Sequence, residues 1–191
     1  MTTNDIIEKM LICPKKIQRL ESFYNGNCDD VIKFNFNDRN KYDYLLKICG
    51  FEGKKTEQSK TIANTTFGLV IGRGLEEELP EVEIQGEEAF SIRITERNIS
   101  VNANTKNGLA FGLKALARIF AEFDNIPCME IQDAPTVDFR SLHICIFNPD
   151  DGTVKDDTSP KSVRKMLINA AMSGYNYIIM EFWGMFPYKK R

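Results

Sequence analysis

Hydrophobic and polar positions alternate most regularly between residues 90 and 103. In the ranges 90–94 and 99–103 every second residue is apolar, and the residues between them are polar. This period of two is typical of a strand with one buried face. Residues 95–98 connect the two ranges and are few enough to form a tight turn. The segment therefore predicts a β-hairpin.

A helical period follows the hairpin, from residue 108 to residue 123. Leu109, Leu113 and Leu116 recur at the spacing of one helix face, which predicts an amphipathic helix with that face in the core. Gly108 and Gly112 lower the helix propensity of this segment. Because they are tolerated in a helix, we expect each to permit close packing of the helix on a sheet.

Weaker patterns predict the other elements before residue 134. They are strands at 31–36, 67–72 and 129–131, and a helix at 39–48 with Asp38 as its N-cap. Residues 5–11 are compatible with a short helix or an edge strand, and residues 51–61 with a polar loop. The order of elements predicts an α+β domain, in which one sheet carries helices on one face.

The pattern changes after a boundary at residues 132–136, where proline and small polar residues cluster. Residues 137–147 and 175–182 are mostly apolar, as expected of strands covered on both faces. Between them, Ser159-Pro160 predicts the start of a helix, with Ser as N-cap and Pro in its first turn. We therefore assign residues 1–134 to one domain and residues 135–191 to a second. The second is one strand–helix–strand unit, too small to bury both faces of a parallel sheet.

Composition and charge exclude several classes of protein. The chain has 191 residues and a net charge of −2, which gives no electrostatic signature of nucleic-acid binding. It has no apolar run of the ~20 residues that a membrane-spanning helix requires. The first 16 residues lack the pattern of a signal peptide, and the five cysteines form no C-x-x-C pair. We expect reduced, mostly buried thiols and a cytoplasmic location.

One histidine leaves little room for a histidine-based metal site or a Ser-His-Asp triad. We therefore predict no metal and no cofactor, and we interpret His143 as a packed strand residue.

Three segments, taken in order, resemble a known family. They are AFSIRITERNISVNANTKNGLAFGLKALARIF (residues 89–120), IQDAPTVDFRSLHI (131–144) and SVRKMLINAAMSGYNYIIMEF (162–182). They are similar to glycoside hydrolase family 20, the β-N-acetylhexosaminidases: the domain before the catalytic barrel, the entry into barrel strand one, and the first barrel helix with strand two. The resemblance covers about residues 60–188 and, weakly, the first 60. Some α-glucuronidases and O-GlcNAc-removing hydrolases carry a similar first domain.

The resemblance implies an accessory domain followed by the start of a (β/α)₈ barrel. The family hydrolyses terminal N-acetylhexosamine with retention, by attack of the substrate's own acetamido oxygen on the anomeric carbon. An Asp-Glu pair at the end of barrel strand four orients the acetamide and protonates the leaving group. No Asp-Glu dipeptide follows Pro135. We therefore expect no catalytic residue in this sequence, and no glycosidase activity from these 191 residues alone.

Three residues are candidates for substrate binding in the intact enzyme. Arg140 matches the strand-one arginine that hydrogen-bonds sugar hydroxyls in the family; the alternative is a structural ion pair. Glu181 and Trp183 lie at the carboxyl end of the second predicted strand, where barrel active sites open. They are candidates for a polar contact and a sugar-stacking platform; the alternatives are a salt bridge and core packing. The sequence departs from the family at Ser141, usually glycine, and at Cys145, usually acidic.

Three hypotheses of function follow. The first is the N-terminal part of a family 20-like hydrolase, with carbohydrate as its partner. The second is a stand-alone, non-catalytic carbohydrate-binding or interaction module. The third is an α/β enzyme completed by oligomerisation. The first predicts exposed apolar surface on residues 137–188. The second predicts that this surface is covered, by the first domain or in a homodimer, and the third predicts a pocket between chains.

Overall fold

The computed structural model describes residues 2–10, 14–26, 30–35, 42–59, 66–72, 78–147 and 159–183. The chain divides into two compact units, Met1–Pro135 and Thr136–Arg191. We call them the N-terminal unit and the C-terminal unit and describe each by itself.

The N-terminal unit is built on one mixed sheet. Its elements are α1 (Thr3–Met10), β1 (Lys16–Phe23), β2 (Val31–Phe34), α2 (Asp43–Ile48), β3 (Thr56–Gln58), β4 (Phe67–Gly72), β5 (Phe90–Ile94), β6 (Asn98–Ala103), α3 (Lys106–Glu122) and β7 (Pro127–Asp133). The described strands are ordered β1-β7-β5-β6-β4-β2-β3. Neighbouring strands are antiparallel except for β2 and β3, which are parallel.

The predicted hairpin is confirmed as β5 and β6, which pair from Phe90↔Ala103 to Ile94↔Ile99. The apolar positions of both strands are buried on one face of the sheet, and α3 packs on β5 and β6. Leu113 and Leu116 of α3 are fully buried. Helices α1 and α2 contact α3 in turn. The hydrophobic core therefore lies between the sheet and α3.

The two glycines of α3 lie where the helix approaches the sheet most closely. A Cβ atom on Gly108 would collide with the carbonyl oxygen of Ala89, and one on Gly112 would lie 2.7 Å from Cγ1 of Val101. The prediction that these glycines permit close packing is confirmed.

Extended, irregular chain covers the opposite face of the sheet. The Nδ2 of Asn102 donates to the carbonyl oxygen of Pro80 at 2.9 Å, and the backbone N of Glu83 donates to Oε1 of Gln132 at 2.9 Å. Ser91 and Ser100 are buried beside Asn102. The chain that includes Pro80 and Glu83 covers the face of the sheet opposite the helices. Polar residues of the central strands are therefore buried on that face as well.

The edges of the sheet differ from the prediction. Strands β1 and β3 were not predicted, because edge strands are half exposed and lack a strong hydrophobic alternation; β1 is exposed or intermediate at each position. Residues 3–10 form a helix, which decides between the two predicted alternatives. Helix α2 begins at Asp43, and the predicted cap Asp38 lies outside the described residues.

The C-terminal unit contains β8 (Ser141–Phe147), α4 (Pro160–Met172) and β9 (Tyr177–Trp183). Strands β8 and β9 pair in parallel, from Ser141↔Tyr177 to Phe147↔Trp183. The predicted strand–helix–strand unit is thereby confirmed. The Oγ of Ser159 accepts a hydrogen bond from the backbone N of Ser162 at 3.3 Å, which is the predicted N-cap.

Much of the apolar surface of this unit is exposed. Its exposed apolar side chains, between 36% and 59% accessible to solvent, include Val137, Phe139, Tyr175, Tyr177, Ile179, Met180 and Phe182. Ile144 of β8 and Ala170 of α4 are buried. Among the described residues, no helix has both the length and the apolar character needed to cross a membrane.

Candidate functional site

Three chemically active side chains meet on the β8–β9 sheet. Cys145 lies directly opposite Glu181 in the parallel register. His143 precedes Cys145 by two residues and therefore faces the same side of the sheet. The sequence thus places a carboxylate, a thiol and an imidazole on one face, toward the carboxyl ends of two neighbouring strands.

The Oε2 atom of Glu181 is the centre of this cluster. It lies 3.0 Å from Nε2 of His143 and accepts a hydrogen bond from Sγ of Cys145 at 3.2 Å. The Sγ and Nε2 atoms are 3.7 Å apart. The hydrogen bond to Glu181 raises the pKa of the Cys145 thiol above its ordinary value. The carboxylate therefore stabilises the protonated thiol beside it.

The cluster is open to solvent within the chain. The side chains of His143 and Glu181 are 53% and 41% exposed. The interpretation of His143 as a packed strand residue is therefore wrong: its position in β8 faces the uncovered side of the sheet. Open carboxylate, imidazole and thiol groups can bind a ligand by hydrogen bonds or coordinate a cation.

Trp183 is the last residue of β9, opposite Phe147 in the register. It follows Glu181 by two residues, so its backbone lies at the same carboxyl end of the sheet as the cluster. Its stacking role stays a prediction.

Arg140 lies at the other end of β8. Its Nε donates to the carbonyl oxygen of Gly174 at 2.8 Å, and its Nη1 donates to the carbonyl oxygen of Val137. Its backbone N donates to Oδ1 of Asn176 at 3.0 Å. These contacts connect the chain before β8 with the chain before β9.

The structure does not bring Arg140 together with Glu181 and Trp183. Arg140 and Cys145 are five positions apart, which corresponds to roughly 16 Å along an extended strand. The sugar-binding role of Arg140 stays a prediction, and the described contacts favour a structural role at the amino ends of the strands.

His143 and Cys145 were not among the predicted site residues. The signal that could have found them is the His-x-Cys spacing on a strand, since residues two apart share a face. The acidic residue at the end of the next parallel strand completes the cluster. The position of this acidic residue opposite Cys145 depends on the register between the two strands. The sequence of a single strand does not determine that register.

Comparison with known proteins gives a consistent result. The family model "Glycosyl hydrolase family 20, domain 2" matches residues 15–134. The β-hexosaminidase subunit beta of Entamoeba histolytica is 29% identical over 135 residues, which are 62% of this chain and 24% of that protein. The chain thus spans about a quarter of that relative's length.

Solved structures show the same fold. The β-N-acetylhexosaminidase from Bacteroides fragilis aligns with a TM-score of 0.61 at 18% identity, over 87% of this chain and 32% of its own. The family 20 β-N-acetylhexosaminidase from Streptomyces coelicolor aligns with a TM-score of 0.60 at 15% identity, over 87% of this chain and 33% of its own.

Proposed function

Because this chain belongs to glycosyl hydrolase family 20, we propose that it is part of a glycosidase that releases terminal N-acetylhexosamine from carbohydrates. The relatives named β-hexosaminidase and β-N-acetylhexosaminidase support this substrate class. The chain covers 24% of the Entamoeba histolytica relative, so the proposed activity is that of a longer protein containing it.

The proposal gives each unit a role. Residues 1–134 form the accessory α+β domain, and residues 135–191 form the first strand–helix–strand unit of a (β/α)₈ barrel. The observation that carries it is the exposed apolar surface of the C-terminal unit: Phe139 is 57% exposed and Tyr177 is 53% exposed. Parallel sheets in folded proteins are covered on both faces, so such a surface fits a unit that needs further barrel strands and helices.

The proposed chemistry is substrate-assisted hydrolysis with retention of configuration. The acetamido oxygen of the substrate attacks the anomeric carbon while an Asp-Glu pair orients the acetamide and protonates the leaving oxygen. The sequence after Pro135 contains no Asp-Glu dipeptide. These 191 residues are therefore proposed to be inactive without a further part of the barrel.

Glu181 is the strongest candidate for a substrate contact in this chain. Its Oε2 is already a hydrogen-bond acceptor, and its side chain is 41% exposed at the end of β9 where barrel active sites open. Trp183 is proposed to offer a stacking surface next to it. Arg140 either binds sugar hydroxyls, as the resemblance implies, or positions the loops that precede β8 and β9.

The first experiment is to sequence the DNA downstream of the Arg191 codon. A continuous frame of several hundred codons with a hydrophobic strand ending in Asp-Glu supports the proposal. The product of that frame should hydrolyse 4-nitrophenyl N-acetyl-β-D-glucosaminide, and the 191-residue chain should not. A stop codon with no such frame beyond it contradicts the proposal and favours a non-catalytic carbohydrate-binding or interaction module.

The role of Arg140 is separated from that of Glu181 by kinetics of the full-length product. If Glu181 binds substrate, Glu181→Gln raises KM and leaves the melting temperature unchanged. If Arg140 is structural, Arg140→Ala lowers the melting temperature, whereas a sugar-binding Arg140 changes KM at constant stability.

A homodimer is a second way to cover the apolar face of residues 137–188. Light scattering on the 191-residue chain tests it directly, because a dimer doubles the 21.9 kDa mass. A dimer that dissociates on Phe139→Asp would support this arrangement, and a monomer at all concentrations would exclude it.

We propose a reducing, cytoplasmic location for the protein. The supporting observation is that Cys49, Cys128 and Cys145 are free thiols in the described chain. Cell fractionation with an antibody against the chain tests it, and recovery in the culture medium would contradict it.

A further inference from the structure

We propose that His143, Cys145 and Glu181 form a binding site for a zinc-type divalent cation, with a fourth coordination position open to water or to an oxygen of a bound molecule. This proposal rests on the geometry of the cluster. It uses the same Glu181 carboxylate as the proposed substrate contact, so it is tested by metal binding to the chain without substrate, separately from glycosidase activity.

The three donors are those that Zn²⁺ prefers. Imidazole nitrogen, thiolate sulfur and carboxylate oxygen are its common protein ligands, and three protein ligands with one open position are typical of non-structural zinc sites. Neutral imidazole with one thiolate and one carboxylate also gives a charge of −2, which balances the ion. Ca²⁺ and Mg²⁺ prefer all-oxygen sites, so the sulfur and nitrogen ligands discriminate against them.

The distances between the donor atoms fit one ion. A tetrahedral Zn²⁺ with ordinary bond lengths holds its ligand atoms about 3.4–3.6 Å apart. In the structure Nε2 of His143 lies 3.0 Å from Oε2 of Glu181, Sγ of Cys145 lies 3.2 Å from the same oxygen, and Sγ lies 3.7 Å from Nε2. Shifts of a few tenths of an ångström, within reach of a Glu side chain, complete the geometry.

The backbone holds the donors in place before any ion binds. His143 and Cys145 share one face of β8, and the parallel pairing fixes Glu181 opposite Cys145. All three donors lie within 4.8 Å of one another. The exposed cluster is accessible to an ion from solvent.

Binding exchanges a proton for a metal bond. The Cys145 thiol loses its proton to solvent as the sulfur–metal bond forms, and Glu181 and neutral His143 donate lone pairs without a change of oxidation state.

The test is a titration of the reduced, chelator-washed 191-residue chain with Co²⁺, which reports thiolate coordination by its near-ultraviolet charge-transfer band. We expect one Co²⁺ per chain with that band, and its displacement by Zn²⁺. Cys145→Ser should abolish the band. His143→Gln and Glu181→Gln should each weaken Zn²⁺ binding by at least about tenfold. The control Cys128→Ala, which removes a thiol of the N-terminal unit, should leave the band unchanged.

A second readout uses the unmodified chain. Stoichiometric Zn²⁺ should protect Cys145 from iodoacetamide, as measured by peptide mass spectrometry, and equimolar Mg²⁺ should not. Circular dichroism of each variant shows whether it is folded. A wild-type chain without a charge-transfer band and without protection of Cys145 overturns the proposal. A band that survives in folded Cys145→Ser overturns it as well.

Discussion

The two units use similar apolar side chains with opposite results. In the N-terminal unit, Ile92 and Leu113 are completely buried between the sheet and α3. In the C-terminal unit, Phe139 and Ile179 are 57% and 49% exposed. In the N-terminal unit the central hairpin β5–β6 is covered by α3, which follows it directly in the chain. A parallel pair needs crossovers and further layers, so one strand–helix–strand unit leaves its strands uncovered.

The comparison shows that an apolar strand in the sequence does not establish a core. Ranges 137–147 and 67–72 both have the composition of buried strands. Strand β4 lies between two neighbouring strands and is buried, whereas β8 has one described neighbour and its exposed face carries the His143–Cys145–Glu181 cluster. Burial is decided by the elements that cover a strand, which are remote in the sequence.

Truncating a large side chain should give the largest difference between the two units in the free energy of unfolding. Leu116→Ala in α3 should lower the free energy of unfolding by about 2–5 kcal/mol, because the residue is fully buried and leaves a cavity. Met166→Ala in α4, at a position 40% exposed, should change it by no more than about 0.5 kcal/mol. Urea denaturation followed by circular dichroism measures both. Equal losses would contradict the difference in packing.

Adding one methyl group to α3 should produce the next largest effect. Gly108→Ala places a Cβ against the rigid carbonyl oxygen of Ala89 and should cost about 1–3 kcal/mol, despite the better helix propensity of alanine. The control Ala121→Leu adds a larger group at an exposed position of the same helix and should be neutral within about 0.5 kcal/mol. A stabilised Gly108→Ala would show that the helix can move away from the sheet.

Removing the N-cap hydrogen bonds of α3 and α4 should give a smaller difference between the two units. The Oγ1 of Thr105 accepts from the backbone N of Gly108 at 2.9 Å, and the Oγ of Ser159 accepts from Ser162 at 3.3 Å. Thr105→Ala should cost about 1 kcal/mol in global stability. Ser159→Ala should instead increase amide hydrogen exchange in the first turn of α4 by a few-fold. Loss of global stability in Ser159→Ala would mean that the two units unfold together.

The smallest expected effect concerns the rates at which the thiols of the two units are alkylated. Burial raises the pKa of Cys49 to about 12, so Cys49 should stay unalkylated in the folded chain at neutral pH. Cys145 is exposed. The Glu181 carboxylate accepts a hydrogen bond from the Cys145 thiol and thereby keeps the pKa of that thiol above its ordinary value. Glu181→Gln removes the negative charge, lowers that pKa and should speed alkylation of Cys145 roughly twofold or more near pH 7.5.

The alkylation is measured by mass spectrometry in the presence of a chelator. Glu21→Gln, in exposed strand β1 of the other unit, is the matched control and should leave the rate at Cys145 unchanged. A slower reaction in Glu181→Gln would show that the carboxylate activates the thiol rather than protecting its proton.

The local parts of the fold could be predicted from the sequence. The 90–103 alternation and the leucine spacing of α3 each arise from a single element with one buried face, so the hairpin, α3 and the role of Gly108 were predictable. Strands β1 and β3 were not, because their exposed edges remove the pattern on which strand prediction depends. The parallel β8–β9 pair followed from the crossover helix between two apolar runs.

The candidate site was only partly predictable. Glu181 was predicted from its place at the end of a strand, but its partners depend on the register of β8 and β9, which brings together Cys145 and Glu181, 36 positions apart in the sequence. Arg140 was predicted from its match to the strand-one arginine of the family, but it lies at the opposite end of β8 from the cluster. His143 was interpreted as packed because its apolar neighbours suggest a strand covered on both faces.

Asn176 helps to set the register of the β8–β9 strand pair. Its Oδ1 accepts from the backbone N of Arg140 at 3.0 Å, and its Nδ2 donates to the carbonyl oxygen of Asp138 at 2.7 Å. The side-chain amide of Asn176 thus pairs with the backbone before β8 as a peptide group of a neighbouring strand would. It fixes where the pairing of β8 and β9 starts. A slip of one residue would turn Glu181 to the opposite face, away from Cys145. The alignment of the cluster at one end of this small sheet is therefore supported by a side-chain amide at the other end.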